Sequence, residues 1–434
     1  MAETDTDAGD QLDATITATD PSEGPTGLWR RYRALPRNVF AISLVSLLND
    51  ASSEIIYPLL PIFLASTLGA SAGAIGTIEG SAESIASLLK LFAGYLSDRL
   101  GKRKLLVVLG YSLASFVRPL LAFANNWHQV LAIRLTDRVG KGLRTAPRDA
   151  MIADTVSLEQ RGLAFGFHRA MDHGGAVIGP LLGYLLVFLL VVDRDAPTHS
   201  EFTTIFLLAA VPALGAVVVA AFFMRESPLK YVAAMPKLTL RGLDGNFKRF
   251  LLVLALFTLS NSSDSFLILR ARESGVSVTA IPLLWAAHHG SKVLSSLYGG
   301  DLSDRLGRKR LIVSGWILYA AVYAGFAFAT KGVSIWILFL IYGMYFGLAE
   351  GAEKALVADL VRPEQRGTAY GLYNLAFGIT VFPASLLMGL IWDWQGATTA
   401  FLTSATMGGA AALLLWVLVR PAQLNTPLGA VASN

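Results

Sequence analysis

The stretch "GYLSDRLGKRKLL", Gly94 to Leu106, returns 206 residues later as "GDLSDRLGRKRLI", Gly300 to Ile312. Each copy closes one apolar segment, crosses a short basic turn and opens another. A second phrase follows each: "AMIADTVSLEQRGLAFG" (Ala150 to Gly166) comes back as "ALVADLVRPEQRGTAYG" (Ala355 to Gly371). A weaker third echo sets "SSE" ending at Glu54 against "SSD" ending at Asp264. Three echoes in the same order, at nearly one spacing, describe a duplicated unit. If each unit crosses a membrane an even number of times, the two share one orientation, related by an axis along the membrane normal.

Composition places that unit in a bilayer. Of 434 residues, 54% are hydrophobic and only 15% charged, where a soluble chain carries about a quarter charged. Runs such as "LIVSGWILYAAVYAGFAFA" are long enough to cross a ~30 Å hydrocarbon core. About twelve such spans start near Val39, Ala72, Leu105, Trp127, Gly162, Thr203, Phe250, Val278, Leu311, Ser334, Gly367 and Thr398. Rich in Gly, Ala and Leu and lacking strict alternation, they read as helices rather than barrel strands. The expected architecture is an all-α integral membrane protein of about twelve transmembrane helices in two pseudo-symmetric six-helix bundles. Its parts are a disordered acidic tail (1–29), a first bundle (30–224), a linker (225–249), a second bundle (250–420) and a tail (421–434).

About 22 of the 36 Lys and Arg fall on the side that holds the N-terminus, by the expected span ends. The excess of basic residues on one side predicts cytoplasmic termini in a multi-pass protein of the inner (plasma) membrane. The same excess accounts for the formal charge of +5, so a nucleic-acid partner is not expected. Zero cysteines exclude disulfides and thiolate metal sites. Neither G-x-S-x-G, H-E-x-x-H nor a Walker A sequence is present, which argues against an intramembrane enzyme and against ATP drive. No cofactor is expected, and the chain is read as a monomer.

The repeated loop resembles that between helices 2 and 3 of the major facilitator superfamily, G-x-x-x-D-R-x-G-[RK]-[RK]. "GAVIGPLLG", Gly175 to Gly183, is similar to the fifth-helix motif that the family associates with antiporters. "IRLTDRVGKG" occupies the place of its fourth-helix motif, led here by Arg134. The resemblance covers nearly all of the chain after Arg30. It implies a transporter driven by the proton-motive force. It also implies that Gly94, Asp98, Arg99, Gly101, Asp304, Arg305 and Gly307 latch the conformation closed toward the cytoplasm, with Gly175, Gly179 and Pro180 shaping helix 5. Arg138 and Lys141 depart from the family, which usually has small residues there.

Charges inside the spans carry the functional reading. One charge at the bilayer centre costs on the order of 2.5–3.5 kcal/mol even on the mildest scale, so many are tolerable only facing water or each other. Arg134, Arg138, Lys141 and Arg148 share one helix face, predicted to line a central cavity with Asp50, Glu54, Glu79 and Glu83 opposite. Arg144, His168, Arg169, Asp172 and His173 lie close by on the helical depth count. The second half offers Asp264, His288, His289, Lys292, Glu350, Glu353 and Lys354, and has Tyr373-Asn374 where the first has His168-Arg169.

Three roles compete. Structural ion pairs suit Arg118 and Lys90. Proton coupling suits Asp50, Glu54, Glu83 and Asp172. Substrate contact suits Arg134, Arg138, Lys141, Arg144, Arg148, His168, Arg169, His173, Asp264, His289, Lys292 and Glu350, the arginines offering fork-shaped donors to carboxylate or phosphate. The expected function is alternating-access secondary transport, proton-coupled export of a small organic solute, anionic or zwitterionic. Alternatives are proton-coupled uptake of an organic anion, transport of a metal or metal chelate, and a non-transporting membrane sensor.

Overall fold

The computed structural model describes residues 33–157, 160–193, 196–226, 238–362 and 365–420. The acidic tail, residues 227–237 of the linker and the tail after 420 lie outside the described residues. So do Glu159, Arg194, Glu364 and the side chain of Asp304.

The first lobe runs α1 (Arg37–Thr67), α2 (Ala72–Leu100), α3 (Arg103–Phe123), α4 (Trp127–Thr155), α5 (Arg161–Leu190) and α6 (His199–Phe222). The second runs α7 (Gly245–Glu273), α8 (Ala280–Leu306), α9 (Arg308–Phe328), α10 (Gly332–Asp359), α11 (Arg366–Gln395) and α12 (Ala397–Leu418). Twelve helices stand where twelve spans are expected, each start within five residues of the reading. Among the described residues, nine are long and apolar enough to cross a bilayer. The other three, α2, α4 and α8, carry the ionisable residues Glu79 and Glu83, Arg134 to Arg148, and His288 to Lys292. That polarity lowers their hydropathy, and it faces the protein interior, not lipid. Outward positions are apolar: Phe222, Leu252 and Trp394 are all more than two-thirds exposed, as a hydrocarbon solvent demands.

Two helices break at equivalent places. In α1 the regular helix ends at Ile56 and resumes at Leu60, because Pro58 and Pro61 supply no backbone N–H. In α7 it ends at Ser260 and resumes at Ser265, across Asn261-Ser262-Ser263-Asp264, whose side chains compete for backbone hydrogen bonds. The third sequence echo marks these breaks: Glu54 sits one turn before the first and Asp264 closes the second.

The lobes meet along α2 and α11 and along α5 and α8. A Cβ on Gly76 would collide with the Ser385 carbonyl, and one on Gly389 with the Ala72 carbonyl, so the α2–α11 backbones touch. Asp393, at the end of α11, accepts from the first two amides of α2, Ala72 (2.8 Å) and Gly73 (2.7 Å). Ser71 caps the same helix through the Ala74 amide. These contacts close the molecule on the side opposite the termini.

Candidate functional site

A cavity of about 450 Å³ lies between the lobes. From the first lobe it is lined by Asn49, Asp50, Ser53, Glu54 and Tyr57 of α1, Glu79 and Glu83 of α2, Arg118 of α3, and Arg134, Asp137, Arg138, Lys141 and Arg144 of α4. The second lobe contributes the α7 break (Asn261 to Asp264), Trp285, His289 and Lys292 of α8, Tyr342 and Phe346 of α10, and Phe377, Val381 and Ser385 of α11.

Two arginines are fully committed to ion pairs. Arg134 grips Glu79 in a fork, Nη2 to Oε2 at 2.6 Å and Nε to Oε1 at 3.1 Å, and stands 3.8 Å from Asp137. Arg118 donates to Asp137 at 2.9 Å and to the Ser52 hydroxyl at 3.0 Å. Buried charges of this kind persist because each is neutralised and hydrogen-bonded. Lys141 lies 3.8 Å from Glu83, both only one-third exposed.

Two others are not committed. Among the described residues, Arg138 Nε and Arg144 Nη1 are buried with no hydrogen-bond partner. The Arg144 guanidinium stacks on the Tyr111 ring at 4.5 Å, which leaves its N–H fork to point elsewhere. An orphaned buried donor costs roughly 1–3 kcal/mol, a cost that an anion in the cavity would relieve.

Glu54 joins the lobes. Trp285 Nε1 donates to its Oε2 at 2.8 Å, and His289 Nε2 is 3.8 Å from the same oxygen. Below it, Tyr57 packs on the Trp285 ring at 5.3 Å. Asp264 occupies the N-cap position of the second α7 segment, yet its carboxylate does not cap. It accepts instead from the Tyr342 hydroxyl at 2.7 Å. Lys292 lies over the face of Phe346, 4.0 Å from the centroid.

The basic face predicted to run from Arg134 to Arg148 lines the cavity only as far as Arg144. One further turn, ~6 Å, carries Arg148 past it. Arg148 donates to Asp149 and Ser46 and lies 3.9 Å from Asp172, which is 3.5 Å from His168. Arg148, His168 and Asp172 thus form a cluster of their own between α4 and α5, outside the lining. Arg169 is exposed and His173 half-buried, also outside it. Glu350 pairs with Lys354 at 2.9 Å, about half exposed. His288 Nδ1 donates to the Phe339 carbonyl at 3.1 Å, and the residue is not part of the cavity lining. Among the described residues no three His, Cys, Asp or Glu are grouped to hold a metal.

The residues read as a latch sit at helix ends. Gly101 (φ 65°) and Gly307 (φ 85°) make left-handed turns that a side chain would strain. Asp98 accepts from Arg103 at 2.7 Å, and Arg103 also pairs with Asp154; in the second lobe Arg308 pairs with Asp359. Gly94 approaches Ala146, and Arg99 and Arg305 are exposed. In α5, a Cβ on Gly175 would come 2.5 Å from the Leu47 carbonyl, and one on Gly179 2.7 Å from Glu54 Cβ. Pro180 follows inside the same unbroken helix. These glycines therefore seat α1, with Asp50 and Glu54, directly on α5.

Sequence reasoning missed Asp137, Tyr57, Trp285, Tyr342, Phe346, Asn261 and Asp393. Asp137 was within reach, three residues from Arg134 on the face already singled out. The aromatic residues had no distinguishing signal among 44 Phe, Trp and Tyr, and the partner of Asp393 is 321 residues away.

A family profile described as Major Facilitator Superfamily matches residues 42–260 and 250–432. An MFS-type transporter of Methanocaldococcus jannaschii is 37% identical over 398 residues, 88% of this chain and 95% of that one. A homolog of a multi-drug resistance efflux pump from Lactococcus lactis is 26% identical, covering 76% of this chain and 81% of its own length. Among solved structures, a bacterial homolog of the human lysosomal transporter Spinster, inward-facing and occupied, superposes with a TM-score of 0.72 at 16% identity, over 88% of this chain and 96% of that one.

Proposed function

Because this chain belongs to the Major Facilitator Superfamily and is a membrane transporter of that type, we propose that it is a proton antiporter exporting a small organic solute. It works in the inner membrane as a monomer with both termini cytoplasmic, alternating access to the cavity by rocking the lobes. The contacts of α2 with α11 then seal the extracellular side, which makes the conformation inward-facing.

The observation that carries coupling is Glu54. It is a carboxylate in the cavity wall that accepts a hydrogen bond from the opposite lobe. Charged, it holds Trp285 strongly, since hydrogen bonds to an ionised group are roughly twice as strong as neutral ones. A proton arriving on Glu54 weakens that bond and biases the lobes toward parting on this side. Asp50, hydrogen-bonded by Asn49 at 2.9 Å, and Glu83 are the neighbouring carboxylates on the proton's route. Asp172 lies off the cavity and is a weaker candidate than the notional depth of its helix position suggests. Asp98 and Arg99, with Asp304 and Arg305, would serve the opposite, outward-facing state.

Purified protein in liposomes under an imposed pH gradient, screened against pooled metabolites and drugs, tests the reading. Substrate-dependent proton flux is expected, abolished by Glu54→Gln. Solute flux indifferent to the gradient overturns it in favour of a uniporter. Proton and solute moving in the same direction would establish the second reading, uptake of an organic anion, which the orphaned donors of Arg138 and Arg144 favour.

A further inference from the structure

Antiport and unpaired arginines make opposite demands on the solute. A purely anionic solute on Arg138 and Arg144 would bind better, not worse, once a nearby carboxylate such as Asp50 took up a proton, and binding that rises with protonation is symport. Antiport requires the proton to displace part of the solute, and the part a proton displaces from a carboxylate is a cation. One solute satisfies both demands if it carries both charges.

The cavity has the two poles. The first-lobe pole is basic: Arg144 is 6% exposed with an orphaned Nη1, and Arg138 adds an orphaned Nε. Their usual partners are taken, Glu79 by Arg134 and Asp137 by Arg118. The second-lobe pole is electronegative. Its charge is that of Asp264, which lines the cavity where α7 breaks after Ser260. Asp264 does not cap its helix and, among the described residues, forms no ion pair within 4 Å; Tyr342 donates to one oxygen. Lys292 is near, but its ammonium is held on Phe346. Trp285, Phe346 and Phe377 line the same cavity.

On top of the antiport reading, we propose that the solute is a zwitterion: an oxyanion end on Arg138 and Arg144, an ammonium end on Asp264, and an apolar or aromatic body between. Such a solute ties the lobes together while bound, and a proton on Asp264 releases its ammonium end. The titratable groups around Asp264 are Tyr342 of α10, Lys292 of α8, Tyr57 of α1 and Tyr323 of α9.

Calorimetric titration of the purified full-length chain in detergent, without a pH gradient, tests this separately from coupling. The probes are L-phenylalanine and the dipeptide alanyl-phenylalanine, zwitterions with different pole separations, each beside its N-acetyl and its carboxamide form. At least one zwitterion is expected to bind at least tenfold more tightly than both of its blocked forms. Asp264→Asn should bring that zwitterion down to its N-acetyl form, and Arg138→Gln down to its carboxamide. An N-acetyl form that binds as well as its parent makes the site a simple anion site, and a carboxamide that does so makes it a cation site. Either result overturns the proposal, as does failure of both zwitterions to bind. The native chain alone decides these outcomes, so a variant that misfolds costs nothing. Tight zwitterion binding without proton-linked flux would leave the site intact and sink only the antiport reading.

Discussion

Matching Gly94 to Gly300 places Glu79 of α2 on Trp285 of α8, and Glu83 on His289. Matching Ala150 to Ala355 places Asp137 of α4 on Tyr342 of α10, and Lys141 on Phe346. All eight side chains line the cavity. The duplicated scaffold thus points the same positions inward in both lobes, but charges fill them in one and mainly aromatic rings in the other. Arg144, whose match is Ala349, has no second-lobe counterpart at all. Position is inherited with the helix geometry, whereas chemistry is free to diverge so long as each lobe satisfies its own buried groups. At the cavity the first does so by ion pairs; the second by hydrogen bonds from its aromatic residues, as where the Tyr342 hydroxyl donates to Asp264 at 2.7 Å.

The comparison breaks most readily at its best-matched pair. Asp137→Ala leaves Arg118 without its carboxylate and should cost about 3–5 kcal/mol, read as a large fall in detergent melting temperature. Tyr342→Phe removes one hydrogen bond to Asp264 and should cost no more than about 1.5–3 kcal/mol. Equal losses would mean that the lobes are not held together differently.

Next in size is the seam between the lobes. Gly389→Val forces a side chain against the Ala72 carbonyl, an overpacking of about 1–3 kcal/mol. If access alternates as proposed, that seam parts in the other state, and the cost should appear as a shift toward it. The chain has no native cysteine, so a lone Ser53→Cys in the cavity reports access: a membrane-impermeant thiol reagent outside right-side-out vesicles should label it faster. Unchanged labelling would show that the seam does not govern access.

The smallest expected effect is at Asp393. Asp393→Asn keeps a polar group beside the amides of Ala72 and Gly73 but removes the charge that the helix N-terminus favours, worth about 0.3–1 kcal/mol. The same labelling assay should show a modest rise, well below that of Gly389→Val. A larger rise would move the principal closure from backbone packing to this carboxylate.

Much of the architecture was legible because it repeats. The echoed loops located the lobes, and apolar length located each helix to within a turn or so. The basic face of α4 was legible as far as periodicity goes, since Arg134, Arg138 and Lys141 must lie together on any helix. Where the cavity stops along that face was not, and Arg148 falls beyond it. Nor does spacing reveal which charges are spent: Arg134 and Arg138 look alike in sequence, yet one is clasped by Glu79 and the other lacks a partner for Nε. That difference depends on α2 lying against α4. The role of Glu54 depends likewise on Trp285, 231 residues away.

The bare backbone contact of α1 with α5, where Gly175 and Gly179 leave no side-chain cushion, limits how the molecule moves. Two helices keyed this closely cannot slide lengthwise without riding over each other's Cβ atoms, so they travel as one plank. Spin labels on their two ends would keep a constant separation through the whole cycle, while labels on α5 and α8 draw apart and return. Asp50 and Glu54 are then passengers fixed to that plank, and on the proposed coupling a proton would act through the hold of Glu54 on Trp285 across the gap.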